Sequence, residues 1–319
     1  MSEVTRESPR QPNGKHVSGF GGNYIVFQCY GNKAIFLECA YALLSLSRQC
    51  EPEDLANTEV WIYTDDPAWF SSFKDCPLPL HYRKIDEATI KQWKGKIDFV
   101  HRVKIELLKD FVKDRHGNIL YVDTDAVFTG RLAQVFKDIS AGRQFMHVRE
   151  GVVSERGNSI FAKLDTYLRK NVSQKVNGTP VHDLAMWNAG VLGFNTKDNH
   201  QLDEVLAFTD NQYPNFPKHI MEQFAFSVYF QQAGNVKAAA PYITHYWNLK
   251  EVRPLLASFF EHFKNRSWTE LVCYSQLIQM PVLMQEKGNF YSNRSIKKAL
   301  QKVHWLPVQP DWNELSKQL

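Results

Sequence analysis

Two aspartates separated by a single threonine follow an apolar run in the middle of the chain. The stretch 119–128 reads ILYVDTDAVF, and a Gly-Asn pair typical of a turn precedes it, which predicts a buried strand with an acidic end. Side chains alternate along a strand, so Asp123 and Asp125 are expected to point the same way. Two carboxylates on one side repel each other unless a cation lies between them, and a divalent metal with a bound phosphate is the usual arrangement. The alternative is an exposed turn that carries two solvated acids.

Three further segments place polar side chains at the ends of predicted elements. WNAGVLGFN begins with Asn188 beside two small residues, and Met-Glu-Gln puts Glu222 and Gln223 in the first turn of a helix. The segment THYW ends a strand with His245, whose neutral imidazole is a possible third metal ligand. Taken singly these signals are weak: a lone histidine is more often structural, and a glutamate in a first helical turn commonly just complements the helix dipole.

Strand and helix patterns alternate through most of the chain. Strands are predicted at 24–30, 60–64, 80–85, 119–128, 144–149, 187–195 and 236–247, and helices at 34–46, 98–112, 159–169 and 219–232. Asp98 is the predicted N-cap of the second helix. The alternation predicts an α/β fold with right-handed crossovers and a mainly parallel sheet flanked by helices, in which ligands bind at the carboxyl ends of the strands.

Three segments are expected along the chain. Residues 1–22 form a flexible polar tail, 23–249 the α/β domain that binds the ligand, and 250–319 a helical C-terminal extension. Within the α/β domain, the polar loop 171–183 is long enough to reach over a site. The choice of ligand is expected to depend on this loop and on the C-terminal helices.

The C-terminal extension carries its own helix signals. Residues 267–270 (SWTE) match a capping box, and Pro281 is expected to kink or split the helix that follows. Shorter helices are predicted at 295–304 and 311–318.

Composition excludes several classes of protein. The 319 residues carry a net charge of only +4, and no run of Lys or Arg suggests a nucleic-acid partner. The five cysteines lack CxxC spacing, so neither a disulfide framework nor a zinc site is indicated. The chain begins without an apolar signal segment and contains no stretch long enough to span a membrane. We therefore expect a cytoplasmic protein.

The order of these motifs resembles that of GT-A-type nucleotide-sugar glycosyltransferases, most closely the family 8 branch that includes glycogenin and bacterial lipopolysaccharide galactosyltransferases. The resemblance covers roughly residues 24–248. It rests on WIYTDD, the basic helix HRVKIELLKDF, LYVDTDAVFTGRL, NAGVLGFN, MEQ and the late histidine, in that order. It implies a Rossmann-like GT-A fold and transfer of a sugar from a nucleoside diphosphate sugar, with uridine diphosphate as the expected nucleotide. The acceptor would be a glycan, a lipid-linked molecule or a protein.

The resemblance also implies which residues hold the cofactor. Asp123, Asp125 and His245 would bind Mn²⁺ or Mg²⁺, and the metal would bridge the two phosphates of the donor. A metal in that position acts as a Lewis acid, because it neutralises the charge that develops on the departing nucleoside diphosphate.

Further residues are expected around the donor. Those implied near the nucleoside, the phosphates or the donor sugar are Tyr30, Thr64, Asp65, Arg102, Lys104, Thr124, Asn188, Ala189 and Lys250. For Arg102 and Lys104 the alternative is a solvated helix face. Lys250 is displaced by one residue from the family's usual lysine, which leaves Arg253 as a substitute.

Glu222 and Gln223 would lie at the reacting carbon and the acceptor hydroxyl, as catalytic residues. The family usually has Asp where this chain has Glu222, which reaches one methylene further. An inverting enzyme needs a base at the acceptor hydroxyl, and Glu222 would serve. In the retaining branch no strong base is needed and Gln223 would lie beneath the anomeric carbon, which is the outcome we favour.

Two other functions remain open from the sequence. A phosphatase of the haloacid dehalogenase type also follows an apolar strand with Asp-x-Asp, using the first Asp as nucleophile and the second as acid. Its motif is expected near the start of the core domain, and Ala126 replaces the usual Gly. The second is a non-catalytic protein that binds a sugar nucleotide, since a fold alone does not imply catalysis.

Overall fold

The computed structural model of the chain describes residues 21–73, 75–234, 236–292 and 304–317. Nearly all of the predicted tail, and all but the last residue of the helix predicted at 295–304, lie outside these residues. None of the described helices is long and apolar enough to cross a membrane.

The strands alternate with helices over much of the described chain. The strands are β1 (Gly22–Cys29), β2 (Thr58–Thr64), β3 (Leu80–Lys84), β4 (Gly117–Val122), β5 (Ala126–Phe128), β6 (Gln144–Met146), β7 (Arg149–Val152), β8 (Lys175–Val176), β9 (Thr179–Pro180), β10 (Ala185–Trp187), β11 (Val191–Asn195), β12 (Val236–Ala238) and β13 (Ile243–His245). The helices are α1 (Lys33–Gln49), α2 (Pro52–Leu55), α3 (Glu87–Lys94), α4 (Arg102–Phe111), α5 (Ala133–Ser140), α6 (Ser159–Asn171), α7 (His200–Gln212), α8 (Ile220–Gln232), α9 (Arg253–His262), α10 (Trp268–Tyr274), α11 (Met280–Ser292) and α12 (Trp312–Ser316).

Seven strands form the central sheet, in the order β12-β6-β11-β4-β1-β2-β3. Neighbouring pairs are parallel except those that include β11, which runs antiparallel to both β4 and β6. The predicted α/β class with a mainly parallel sheet is therefore confirmed. In this register the carboxyl ends of β1, β2 and β4 share one edge of the sheet, and the antiparallel β11 begins there.

Four predicted strands are interrupted in the structure, and two of the breaks coincide with the polar motifs. The strand predicted at 144–149 divides into β6 and the first residue of β7. The strand predicted at 119–128 divides into β4 and β5 at Asp123–Asp125, and that at 187–195 divides into β10 and β11 at Asn188–Gly190. The strand predicted at 236–247 divides into β12 and β13. β5 and β13 pair antiparallel as a separate ribbon. These breaks let charged side chains leave the sheet at its edge instead of being buried between its helix layers.

Some helix predictions need correction. The helix predicted from Asp98 begins at Arg102, because Asp98 adopts a left-handed backbone with φ 46° that a helix does not continue. Four helices of the α/β domain, α2, α3, α5 and α7, were not predicted; Asp86 caps α3 by accepting a hydrogen bond from the Thr89 amide at 2.7 Å. The expected division at Pro281 is present, since α10 ends at Tyr274 and α11 starts one residue before the proline.

Two hydrophobic clusters cover the two faces of the sheet. Adjacent residues of β1 alternate between them, with Ile25 and Phe27 in one cluster and Val26 in the other. The first cluster includes α1 and the C-terminal helices, where Leu256 and Phe259 are fully buried. The helices beyond residue 250 thus share a core with the strands that carry the polar motifs.

Candidate active site

Two acids and an imidazole, far apart in the chain, meet at one edge of the sheet. One ligand atom from each of Asp123, Asp125 and His245 lies within 4.8 Å of the others. The His245 Nε2 atom is 3.1 Å from Oδ1 of Asp125 and 3.8 Å from Oδ2 of Asp123. The β5–β13 ribbon makes this meeting possible: His245 pairs with Ala126, and the next amide, of Tyr246, donates to the Asp125 carbonyl at 2.9 Å.

The hydrogen bonds around His245 determine its tautomer. Oδ1 of Asn188 accepts from the Gly190 amide at 3.0 Å, and the Asn188 amide nitrogen donates to Oε1 of Glu150 at 3.0 Å. A backbone N–H only donates and a carboxylate only accepts, so the orientation of the Asn188 amide is settled. His245 Nδ1, 2.8 Å from that same Oδ1, must therefore carry the proton. With Nδ1 donating to Asn188, Nε2 is the ring atom that faces the two acids and the one that would bind a metal.

Gly190 provides the space for the imidazole. A Cβ at this position would come within 2.1 Å of His245 Nδ1. The glycine carbonyl also accepts the amide N–H of Asp123 at 2.8 Å, which ties the start of the acidic turn to β11. The glycine of the NAG segment therefore leaves the room that the histidine ring occupies.

The electrostatics keep Asp125 ionised. Burial by itself would raise the pKa of the Asp125 carboxyl, but His245 and Lys250 outweigh it and hold that pKa below its usual range. The Lys250 ammonium donates directly to Oδ2 of Asp125. Two carboxylates and a neutral imidazole nitrogen are ligands that Mn²⁺ accepts, and Mg²⁺ accepts the carboxylates, so this donor set fits the expected metal.

A buried ion cluster lies behind the acids. The Lys104 ammonium is 3.3 Å from Oδ1 of Asp123 and 3.3 Å from Oε1 of Glu222, and it donates to the Ala189 carbonyl at 3.0 Å. Burial lowers the pKa of Lys104, but Asp123 and Glu222 outweigh that effect and raise it. Burial, assisted by the Asp123 charge, raises the pKa of Glu222 to about 7 although Lys104 opposes it. Since Glu222 is only 3% exposed, its visible role is to hold Lys104.

Gln223, in contrast, faces the open side of the site. Its Oε1 accepts from the Ala189 amide at 3.4 Å, and its Nε2 donates to Oε2 of Glu150 at 2.9 Å. Glu150 on β7 therefore holds the amides of both Asn188 and Gln223. The sequence analysis missed Glu150, because an isolated glutamate on a short exposed strand belongs to no recognisable motif.

Arg102 is not brought to this cluster, so the geometry gives no support to the expectation that it contacts the donor. Its Nε and Nη2 bind the Asp210 carboxylate at 2.7 and 3.0 Å, and its Nη1 lies 2.9 Å from Glu106. Residues two apart on a helix lie about 200° apart around its axis, so Arg102 and Lys104 face opposite sides of α4.

The residues expected near the nucleoside follow β1 and β2 on the same sheet edge. Tyr30 is half-buried after β1, and Thr64 ends β2 with its hydroxyl accepting from the Asp66 amide at 3.2 Å. Oδ2 of Asp65 accepts from the Gly31 amide at 2.9 Å, while its Oδ1 is buried without a partner. That unsatisfied oxygen is suited to accept a ligand hydroxyl.

Thr124, Arg253 and loop 171–183 complete the predicted set. Thr124 is buried between the two acids. Arg253 binds Glu38 through two hydrogen bonds of 3.0 and 3.1 Å, so its charge is already paired. The loop contacts Tyr229 and the carbonyl of Gln232 near the end of α8. The site uses the start of that helix, so the loop does not cover the site.

No family model and no curated protein matches the chain. Among solved structures, the chain is similar to mouse xyloside xylosyltransferase 1, with 10% identity over 68% of this chain and 84% of that chain and a TM-score of 0.48. It is similar to the glycosyltransferase GlyE of Streptococcus pneumoniae TIGR4, with 16% identity over 86% of this chain and 64% of that chain (TM-score 0.43). The galactosyltransferase LgtC, solved with donor and acceptor sugar analogs, matches with 14% identity over 67% and 72% of the two chains (TM-score 0.44). All three are glycosyltransferases; at these identities and TM-scores, the function has to be argued from the side chains of the site.

Proposed function

We propose that the chain is a metal-dependent glycosyltransferase that moves a sugar from a nucleoside diphosphate sugar to an acceptor hydroxyl. The observation that carries this proposal is that one ligand atom from each of Asp123, Asp125 and His245 lies within 4.8 Å of the others at the carboxyl edge of the sheet. An α/β sheet binds its ligands at this edge. Uridine diphosphate is the nucleotide that the resemblance implies.

Each side chain then has a distinct task. Asp123, Asp125 and His245 would hold Mn²⁺ or Mg²⁺, which when bound supplies positive charge opposite the diphosphate leaving group. Lys250, which is 45% exposed on its side chain, is positioned to pass its hydrogen bonds from Asp125 to a phosphate oxygen. Asn188 keeps His245 in the ligand tautomer.

Retention of anomeric configuration is the outcome we propose. Inversion requires a base that reaches the acceptor hydroxyl, and Glu222 is shielded behind the ion pair with Lys104. Gln223 presents a neutral amide on the open side, held by Glu150 and the Ala189 amide. A neutral amide stabilises a developing positive sugar centre through its carbonyl oxygen without removing a proton.

A phosphatase of the haloacid dehalogenase type fits this geometry less well. Its first Asp must be free to attack phosphorus, whereas Oδ1 of Asp123 accepts from the Tyr121 hydroxyl at 2.7 Å and lies beside Lys104. The His245 imidazole, whose Nε2 lies 3.1 Å from Asp125 and 3.8 Å from Asp123, has no task in that reaction.

The test incubates the protein with Mn²⁺ and a panel of nucleotide sugars, without acceptor. We expect slow release of free nucleotide from one donor, dependent on Mn²⁺ and abolished by a chelator. Phosphate release from simple monoesters would favour the phosphatase. Donor binding without any turnover would favour a sugar-nucleotide-binding protein.

A further inference from the structure

Trp247 is the tryptophan that does not pack in the hydrophobic core. The chain has eight tryptophans, all among the described residues, and seven of them belong to or pack against the two hydrophobic clusters. Trp247 belongs to neither cluster and is 53% exposed. Exposing a large aromatic surface forgoes the free energy that burial would give, so the position of this side chain needs a reason.

The backbone holds Trp247 in a fixed place. It lies at the crest of a turn between Tyr246 and Leu249, both fully buried, and the Leu249 amide donates to the Tyr246 carbonyl at 2.8 Å. The carbonyl of the next residue, Asn248, accepts a hydrogen bond from the ammonium group of Lys287 on α11. The indole is thus carried on a turn that is anchored at both ends and by a C-terminal helix.

This turn borders the proposed catalytic centre. Trp247 follows the metal-binding candidate His245 by two residues, so their Cα atoms are at most about 7 Å apart. A second exposed apolar residue, Val148, lies between β6 and β7 and is 37% exposed. Its carbonyl accepts from the backbone N–H of Asn188 at 2.9 Å. The two segments touch through His147, whose Nε2 lies 3.2 Å from the His245 amide nitrogen.

The strand order indicates which substrate would contact Trp247 and Val148. Along the carboxyl edge, the residues after β2 and β1 lie on one side of Asp123, and Asn188 and Val148 lie on the other. A donor whose nucleoside lies near Thr64 and Asp65 and whose diphosphate lies at Asp123 directs its sugar towards Asn188. The space beyond the donor sugar, beside Val148 and Trp247, is left for the acceptor.

We propose that Trp247, together with Val148, forms a subsite for a sugar ring of the acceptor. An indole face stacks on the C–H face of a pyranose while the sugar hydroxyls remain in water, which suits a half-exposed aromatic side chain. The inference deepens the proposed transferase function and rests on it: the acceptor class is a glycan or glycoside.

The experiment uses the full chain with Mn²⁺, the donor found to be hydrolysed slowly, and a panel of p-nitrophenyl and methyl glycosides as acceptors. Trp247→Ala is expected to raise the acceptor KM about tenfold or more, the size of a lost aromatic stack, while donor hydrolysis without acceptor stays within about twofold. Trp247→Phe should restore most of the loss, because it keeps an aromatic face. Tyr82→Ala is the matched control, because it removes an exposed aromatic side chain from β3, the outermost strand of the sheet. It should leave the acceptor KM unchanged.

The outcomes separate the subsite from the proposed function. Donor hydrolysis by the wild type, with an acceptor KM that Trp247→Ala does not change, overturns the subsite alone. Donor hydrolysis with no transfer to any glycoside overturns the assignment of a sugar acceptor. Failure of the wild type to turn over any nucleotide sugar overturns the proposed function, and the subsite with it.

Discussion

The two ends of β4 are both buried and polar, yet they are built from different groups. At the amino end, Asn118 donates to Asn23 at 2.8 Å and to Ser140 at 2.7 Å, and it accepts from Asn195 at 2.8 Å. At the carboxyl end, the chain turns through Asp123 and Asp125 among charged neighbours. Both ends interrupt an apolar core, but only at the amino end are the polar groups neutral and paired with one another.

The charge balance explains the difference. The amino end joins neutral amides and a hydroxyl, so every group finds its partner within the protein and no net charge is buried. The carboxyl end joins three carboxyl groups, of Asp123, Asp125 and Glu222, to two ammonium groups, of Lys104 and Lys250. Asp123 and Asp125 lie side by side there, so an added cation that they share would lower their mutual repulsion. One end therefore stabilises the sheet and the other is prepared for a ligand.

The largest effect is expected from Asp125→Asn. The amide keeps the shape of the side chain but removes one ligand charge, so Mn²⁺ affinity should fall by more than about a hundredfold and metal-dependent donor binding should be lost. Titration calorimetry with Mn²⁺ measures the change, and the variant should still unfold cooperatively. An Mn²⁺ affinity equal to that of the wild type would show that this end of β4 is not a metal site.

Asn118→Ala should act on stability instead of binding. It leaves partners of three hydrogen bonds unsatisfied in a buried position, so the free energy of unfolding should fall by about 2 kcal/mol. Urea denaturation measures this loss, and Mn²⁺ affinity of the folded variant should match the wild type. A large loss of metal affinity here would mean that the two ends are coupled through the strand.

Glu150→Gln sharpens the comparison, because it tests whether amide orientation matters at the charged end. A carboxylate accepts from both Asn188 and Gln223, whereas a glutamine presents an NH₂ group to one of them and releases that amide. Mn²⁺ affinity should fall by about tenfold as the Asn188–His245 pair loosens. Glu155→Gln, an exposed substitution nearby, is the matched control, and equal effects of the two variants would contradict the role of Glu150.

The smallest effect concerns pH. The pKa of Glu222 is raised to about 7 in the folded chain from an ordinary value of 4.5. Between these two pH values the folded chain holds a proton that the unfolded chain has released. This group therefore lowers the free energy of unfolding as the pH rises from 4.5 to 7. In chelator, Glu222→Gln should lose less stability between pH 5 and 8 than the wild type does, by on the order of 1 kcal/mol. The loss caused by Asn118→Ala should be the same at both pH values, since amides do not titrate. Parallel pH profiles for wild type and Glu222→Gln would refute the prediction.

Local sequence patterns were sufficient for several elements and for the acidic pair. Apolar runs of strand length predicted β1, β2 and β4, and the capping box at 267–270 predicted the start of α10, because these signals depend on neighbours within a few residues. The patterns missed α2, α3, α5 and α7, although α5 buries an apolar face formed by Val135, Phe136 and Ile139. They also failed at Asp98, where a left-handed backbone overrides an N-cap preference.

The amino-acid sequence by itself determined that two carboxylates follow a buried strand, because the apolar run and the Asp-Thr-Asp motif are local features of the chain. Tertiary structure alone decided which distant groups surround them. The β5–β13 ribbon brings His245 across 120 residues, the turn of α4 selects Lys104 over Arg102, and β7 supplies Glu150. Charges and hydrogen bonds act through space over a few ångströms, and only the packing of sheet and helices sets which residues come that close.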